Sequence, residues 1–376
     1  MAPPQGAPIT RSDRISRADF FRRGAFVASG FALSSRSRGQ SLAPLPAPAE
    51  IFDLRDFVRW IADELEPSVR LSGGAGHYAR EPGQRTLELY GVADMACIFY
   101  TLGKLHPSEA ERKQWAEAFQ VFQNPTTGWL VEKSPTHNPL HNTAFALAAL
   151  QLLDLSPQYP VVMGPEYADP AAFLHTLDWR KAVYTESHKG AGVGSIFALA
   201  PGLGRKEWFA AYFDACDHLF DPHNGLMGID KPATGDSDQI GGTFHYSFLY
   251  ENFNRHLPYP EARIDTVLRL QQADGYWLPS NHLWMTLDAI FLMTRTLRYC
   301  PHRFDDVRAT VRRVMGILSR EVYSPEGRRR TFVGHLAVHS ATAAISIAAE
   351  AQKFLGAREV VTDQPLRLVL DRRPFI

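Results

Sequence analysis

The sequence predicts an all-α fold, an (α/α)6 toroid of six helical hairpins in an inner and an outer ring. Two observations predict it: a repeat of about fifty residues and an alternation of two kinds of helix. The repeat is marked at Gly76 (GAGHY), Gly128 (TGW), Trp179 (DWR), Gly225 (HNGLM), Gly275 (DGYW) and Gly327 (EGRRR). Successive marks are 52, 51, 46, 50 and 52 residues apart, with Gly76 and Trp179 the looser matches.

The chain divides into a leader (1–43), a Pro-rich linker (44–50) and one helical domain (51–376). In the leader, Arg11, Arg14, Arg17, Arg22 and Arg23 precede the apolar run Gly24 to Leu33. That layout is a targeting layout. Segment SRADFFRR, Ser16 to Arg23, resembles a twin-arginine export signal, with Arg17 and the Phe20–Phe21 pair in place and Ala18 where the second arginine belongs. The apolar run is too short to span a bilayer. Ser41-Leu42-Ala43 offers small residues for cleavage. The expectation is therefore a periplasmic or secreted protein with no stable membrane anchor once the signal is removed.

Within the domain, the first helix of each hairpin is amphipathic. Trp115, Ala118, Phe119 and Phe122 stand at i, i+3, i+4 and i+7, with Glu111, Lys113 and Glu117 elsewhere, and Val307, Val311, Val314, Met315 and Leu318 repeat the stripe. The second helix is apolar on every face: Ala144 to Leu150, Leu287 to Met293 and Ala341 to Ala349. In a soluble protein such a helix is buried on every face. Outer helices thus surround inner ones, and neither half of a hairpin buries its surface alone.

Hydrophobic residues make up 45% of the chain and charged residues 21%, and the formal net charge is zero. A neutral chain is a poor general nucleic-acid binder, and none is expected as a partner. Cys97, Cys216 and Cys300 fall inside or at the end of apolar stretches without the close spacing of a zinc site. They read as buried free thiols.

In such a ring the outer-to-inner connections open on one face, where inner-helix N-termini carry partial positive charge. Eight of the fourteen histidines lie at these connections: His77, His137, His141, His188, His245, His282, His335 and His339. A single histidine there is ordinarily a hydrogen-bonding residue at a helix start. Recurrence in all six units points to a shared polar pocket, with Arg85, Asn281 and Trp284 among its further lining residues. The densest ionisable cluster is GDSDQIGGTFHYSFLYE, which brings Asp236, Asp238, His245, Tyr246 and Glu251 together, although aspartates before a helix are commonly caps.

LRLQQADGYW, Leu268 to Trp277, resembles the Q-x-x-D-G-x-W repeat of the prenyltransferase and terpene cyclase toroids, and FQNPTTGW, Phe122 to Trp129, is a looser copy. That resemblance implies fold more than chemistry. Asp236-Ser237-Asp238-Gln239 lacks the last acid of the cyclase D-x-D-D motif, and no D-D-x-x-D metal motif occurs. In its six hairpins, export and pocket composition the chain also resembles the (α/α)6 glycoside hydrolases and polysaccharide lyases. That resemblance implies an oligo- or polysaccharide substrate.

For hydrolysis, a carboxyl pair protonates the leaving oxygen and activates water or attacks the sugar, and Asp238 with Glu186 is the expected pair. For a uronate lyase or epimerase, His245 or Tyr246 removes the proton next to the carboxylate while His188, Asn281 and His282 surround it. His137, His141, Asp236, Trp284 and Arg85 complete the expected binding residues. The remaining alternatives are a terpenoid cyclase, with an aromatic cavity and a single acid, and a non-catalytic binding toroid. No cofactor and no metal are expected, since the i, i+4 pairs His137/His141 and His335/His339 read equally well as pocket wall.

Overall fold

Buried apolar helices account for most of the architecture. The structure, a computed structural model, describes residues 50–132, 137–180, 182–228, 236–278 and 282–372. The predicted leader and nearly all of the linker lie outside them. Strand β1 (Phe52–Asp53) opens the described chain and pairs in parallel with β2 (Val360–Val361), in the register Phe52 to Val360, so the two ends of the domain are tied together.

Between these strands the helices fall into the two expected kinds. One set comprises α1 (Arg55–Trp60), continuing through a π turn (Ile61–Leu65) into α2 (Glu66–Val69), then α4 (Glu109–Gln120), α6 (Pro170–His175), α8 (Lys206–Asp217), α10 (Pro260–Leu270) and α12 (Phe304–Glu321). The other comprises α3 (Leu89–Thr101), α5 (Pro139–Leu152), α7 (Val183–Leu199), α9 (Asp236–Asn252), α11 (Leu283–Thr296) and α14 (Ala337–Leu355). A short α13 (Pro325–Thr331) precedes α14. In α4 only Trp115, Ala118 and Phe119 are buried, whereas α5 is buried at every position from Leu140 to Leu150. Helix α12 buries the predicted stripe of Val307, Val311, Val314, Met315 and Leu318.

The second set packs in sequence order: α3 on α5, α5 on α7, α7 on α9, α9 on α11, α11 on α14, and α14 back on α3. Close approach needs small residues. A Cβ on Gly192 of α7 would stand 3.1 Å from the Leu140 carbonyl carbon of α5, and one on Gly91 of α3 would stand 2.6 Å from the Tyr78 carbonyl oxygen.

The repeat is visible in individual hydrogen bonds. Gln123 Nε2 donates to the Gly128 carbonyl at 2.8 Å, and Gln271 Nε2 donates to the Gly275 carbonyl at 2.9 Å. Gly128, Gly225 and Gly275 all adopt positive φ, which makes glycine the natural residue at each turn. The segment leaving the turn is pinned to the next buried helix in two units: Leu130 N–H donates to Thr143 Oγ1 at 3.2 Å, and Met227 N–H donates to Thr243 Oγ1 at 2.8 Å. Two sequence expectations need correction. Gly327 lies within α13 and marks no turn, and Phe122 falls two residues beyond the end of α4, half-buried. Cys97 and Cys216 are buried free thiols as read, and Cys300 is half-buried past α11.

Away from the histidine-bearing helix ends, one buried cation joins three inner helices. Arg295 of α11 pairs with Glu251 of α9 at 2.8 Å, with Glu350 of α14, and with Asp371. Arg295 and Glu350 are both nearly inaccessible. Removing one partner of a buried pair leaves an uncompensated charge, so Arg295→Ala is expected to cost about 3–5 kcal/mol in a urea titration. Gly91→Ala meets backbone that cannot step aside, and a loss of about 1–3 kcal/mol is expected by the same measurement.

Candidate functional site

The buried helices supply the polar groups, several from their first turns and His245, Asp94 and Asp288 from further along. Asn138 caps α5 by accepting the His141 amide at 3.1 Å, with Pro139 at the first helical position. This sets His141 and Asn142 in the first turn, both buried, with half-buried His137 just before it. Tyr90 of α3 meets all three: its hydroxyl lies 2.7 Å from His137 Nδ1, 2.8 Å from His141 Nδ1 and 3.2 Å from Asn142 Oδ1. A phenol has one proton to donate. Every contact is satisfied when Tyr90 donates to Asn142 and both imidazoles donate Nδ1–H to the phenol oxygen. Nε2 is then the unprotonated nitrogen of each neutral ring.

Across from this group stand Tyr184, Ser187 and His188 of α7 and His245 of α9. The rings of His141 and His188 are 4.5 Å apart, those of His188 and His245 4.6 Å, and Tyr184 lies edge-on to His188 at 4.6 Å. Ser187 Oγ donates to the Tyr184 carbonyl at 2.5 Å, so the 2.9 Å contact with His245 is donated by His245 Nδ1–H. Burial, together with neighbouring imidazoles, pushes His137 down to about 3 and holds His141 and His188 well below the ordinary histidine value. Burial likewise pushes His245 down to about 3. These rings are neutral at pH 7.

On α14, His339 Nδ1 donates to the buried Asp94 carboxylate of α3 at 3.0 and 3.2 Å. The His339 ring lies 4.2 Å from that of Trp284. Arg80 sits 4.7 Å over the Tyr90 ring.

Two carboxyl groups share a cavity of about 260 Å3 lined by Tyr184, Asp238, His282, Met285 and Asp288. Asp238, in the first turn of α9, accepts the Tyr184 amide at 3.0 Å, and a helix N-terminus favours an anion there. Asp288 of α11 is its opposite. Both of its oxygens are buried without a hydrogen-bond partner among the described residues, and burial pushes its carboxyl well above the ordinary value. His282, which caps α11, also lines a second cavity of about 600 Å3 with Trp284, Glu321, Arg330 and Ser340.

The residues singled out from sequence are thus sorted by position. His137, His141, His188 and His245 converge, and Asp238, His282 and Trp284 line or adjoin the cavities. Glu186 faces elsewhere: it pairs with Lys189 on its own helix at 2.7 Å and is not among the residues lining the Asp238 cavity. Residues 186 and 188 are about 200° apart around a helix, so a face that presents His188 to the cluster turns Glu186 away. Tyr246 is likewise displaced, buried between Trp179 and Tyr212 with its hydroxyl against Gly190. Arg85 is exposed in the connection before α3. Asn281 and the Asp236 side chain lie outside the described residues.

Sequence reasoning passed over Tyr90, Asp94, Tyr184 and Asp288. A signal existed for the acids. Asp94 is the only charged residue in LYGVADMACIFYT and Asp288 the only acid in LWMTLDAIFLMTRT, each five residues after its helix start. A lone acid in a helix buried all round is a functional candidate. No protein-family model matches this chain, and a search of curated proteins finds no match, so the chemistry is argued from the site itself.

The buried Asp288 carboxyl has a consequence for stability. Its raised folded value means that the folded state holds a proton the unfolded state has lost, so this group's contribution falls as pH rises above the ordinary carboxylate range. Asp288→Asn removes that penalty. Its melting temperature is expected to exceed the wild type at pH 7, with the gain shrinking toward pH 4, as read by thermal scans across that range.

Proposed function

We propose that this chain is an (α/α)6 toroid that hydrolyses glycosidic bonds, with Asp288 as general acid and Asp238 as the carboxylate that activates water or attacks the sugar. The toroid reading is supported by the circuit of inner-helix contacts that returns from α14 to α3. The single observation that carries the chemistry is that Asp238 and Asp288 line one cavity in opposite environments. A carboxyl kept neutral by burial can protonate a leaving oxygen, and a second carboxyl in the same cavity can activate water or attack the sugar. Trp284, beside the larger cavity that His282 also lines, offers an apolar face for a sugar ring. Asp288 takes the acid role in place of Glu186, which is engaged by Lys189. An oligo- or polysaccharide is the substrate, and the leader's resemblance to a twin-arginine signal supports export as part of the same proposal.

Elimination from a uronate is the second reading, favoured by the His339–Asp94 pair, in which a buried carboxylate orients an imidazole as a base would need. A terpenoid cyclase fits less well, because its cavity would be aromatic with a single acid and this one holds two carboxyl groups, Asp238 and Asp288, with Tyr184 its only aromatic hydrocarbon ring among the described residues.

The test is to incubate the purified full chain with neutral and uronate-containing polysaccharides, following reducing ends and the absorbance of an unsaturated uronate. Hydrolysis predicts reducing ends without the ultraviolet signal. Asp288→Asn and Asp238→Asn should then each lower kcat by about 10²–10⁴-fold, and Glu186→Gln should leave it within a few-fold. Both signals together would transfer the reaction to elimination. Silence on every glycan would overturn the carbohydrate reading.

A further inference from the structure

Three of the converging imidazoles form a group of a different kind from the carboxyl pair. His137, His141 and His188 each offer a ring nitrogen, and the three nitrogens lie within 4.8 Å of one another. His137 and His141 are stacked at 4.3 Å, and His188 meets them edge-on at 5.1 and 4.5 Å. From these contacts we propose that His137, His141 and His188 bind one divalent first-row transition ion, zinc by preference, through three imidazole nitrogens with at least one position left for an oxygen ligand. This site is independent of the glycosidase reading and contradicts the sequence expectation that no metal is bound.

Two observations support it beyond proximity. Tyr90 takes Nδ1–H bonds from both His137 and His141 and passes its own proton to Asn142. That fixes the tautomer and leaves Nε2 of both rings as the lone-pair nitrogen, which is the usual role of a residue behind a metal-bound histidine. His188, 5% exposed, has a buried Nε2 with no hydrogen-bond partner among the described residues. A buried ring nitrogen without a partner is costly, and coordination would repay it.

The geometry is within reach. Zinc–nitrogen bonds of about 2.0–2.1 Å in tetrahedral array put ligand nitrogens about 3.4 Å apart, so small side-chain rotations close the set. Imidazoles alone select zinc, copper, nickel or iron over calcium or magnesium, which prefer oxygen. Two ligands lie four residues apart at the start of α5, and the third comes from α7, which packs directly on it. The ion would therefore bridge neighbouring inner helices.

The experiment uses the full chain, stripped with dipicolinate and titrated first with cobalt(II) and then with zinc(II). Binding of one cobalt per chain is expected, with the intense visible bands of a four- or five-coordinate site, displaced by zinc. His188→Ala should abolish these bands. Tyr90→Phe keeps all three ligands and should weaken binding by roughly 10–100-fold, and it decides the matter should His188→Ala fail to fold. His175→Ala, an exposed histidine on α6, should bind as the wild type does, and so should Asp288→Asn, whether or not the protein cleaves glycans. Absence of stoichiometric cobalt binding, bands typical of octahedral oxygen coordination, or binding unchanged by both His188→Ala and Tyr90→Phe would overturn the proposal.

Discussion

The constraint on which the rest depends is burial of α3, α5, α7, α9, α11 and α14 along most of their length. A helix such as α5, apolar from Ala144 to Leu150 and covered throughout, gives a polar side chain no route to water. Its first turn carries His141 and Asn142, and the starts of the other inner helices carry their own polar groups. Away from water, each such group must find a partner within the cluster or lose its charge. That requirement accounts for the Tyr90 hub, the Ser187–His245 bond, the His339–Asp94 pair and the neutral imidazoles.

The two lone acids show how strongly surroundings decide chemistry. Asp94 and Asp288 occupy corresponding positions of α3 and α11, in equally buried helices. Asp94 faces His339 and receives its Nδ1–H. Asp288 faces no donor among the described residues, so burial acts on it unopposed. The same residue type at the same helical position thus meets different neighbours and differs in its state. Asp238 differs from Asp288 in the same way, because it accepts the Tyr184 amide.

Periodicity made much of the helical layout legible in the sequence. The stripe on α12 and the apolar inner runs fell where expected, and the paired bonds of Gln123 and Gln271 give the turn repeat a physical basis. Recurrent histidines drew attention to His137, His141, His188 and His245, which do converge, although His245 was expected at a connection and lies midway along α9. Which neighbours they meet was not legible, because that depends on the rotation of each helix about its axis. Glu186 and His188 are two residues apart and face opposite ways, and Tyr246 packs against Trp179 and Tyr212 while the adjacent His245 meets His188. Tyr90 was missed because an aromatic at the head of an apolar helix reads as core, and it is core in every atom but its hydroxyl. Asp94 and Asp288 were available to a stricter reading, as single acids in helices with no exposed face.

Burial sets the charge of the groups in this cluster, and hydrogen bonds within it set which ring nitrogen carries the proton. The most direct test is long-range 1H–15N NMR of the imidazole rings in metal-stripped protein at pH 7. The account predicts neutral rings with the proton on Nδ1 for His137, His141 and His245, as the Tyr90 and Ser187 contacts require. Imidazolium signals, or protons on Nε2 at these three positions, would contradict it.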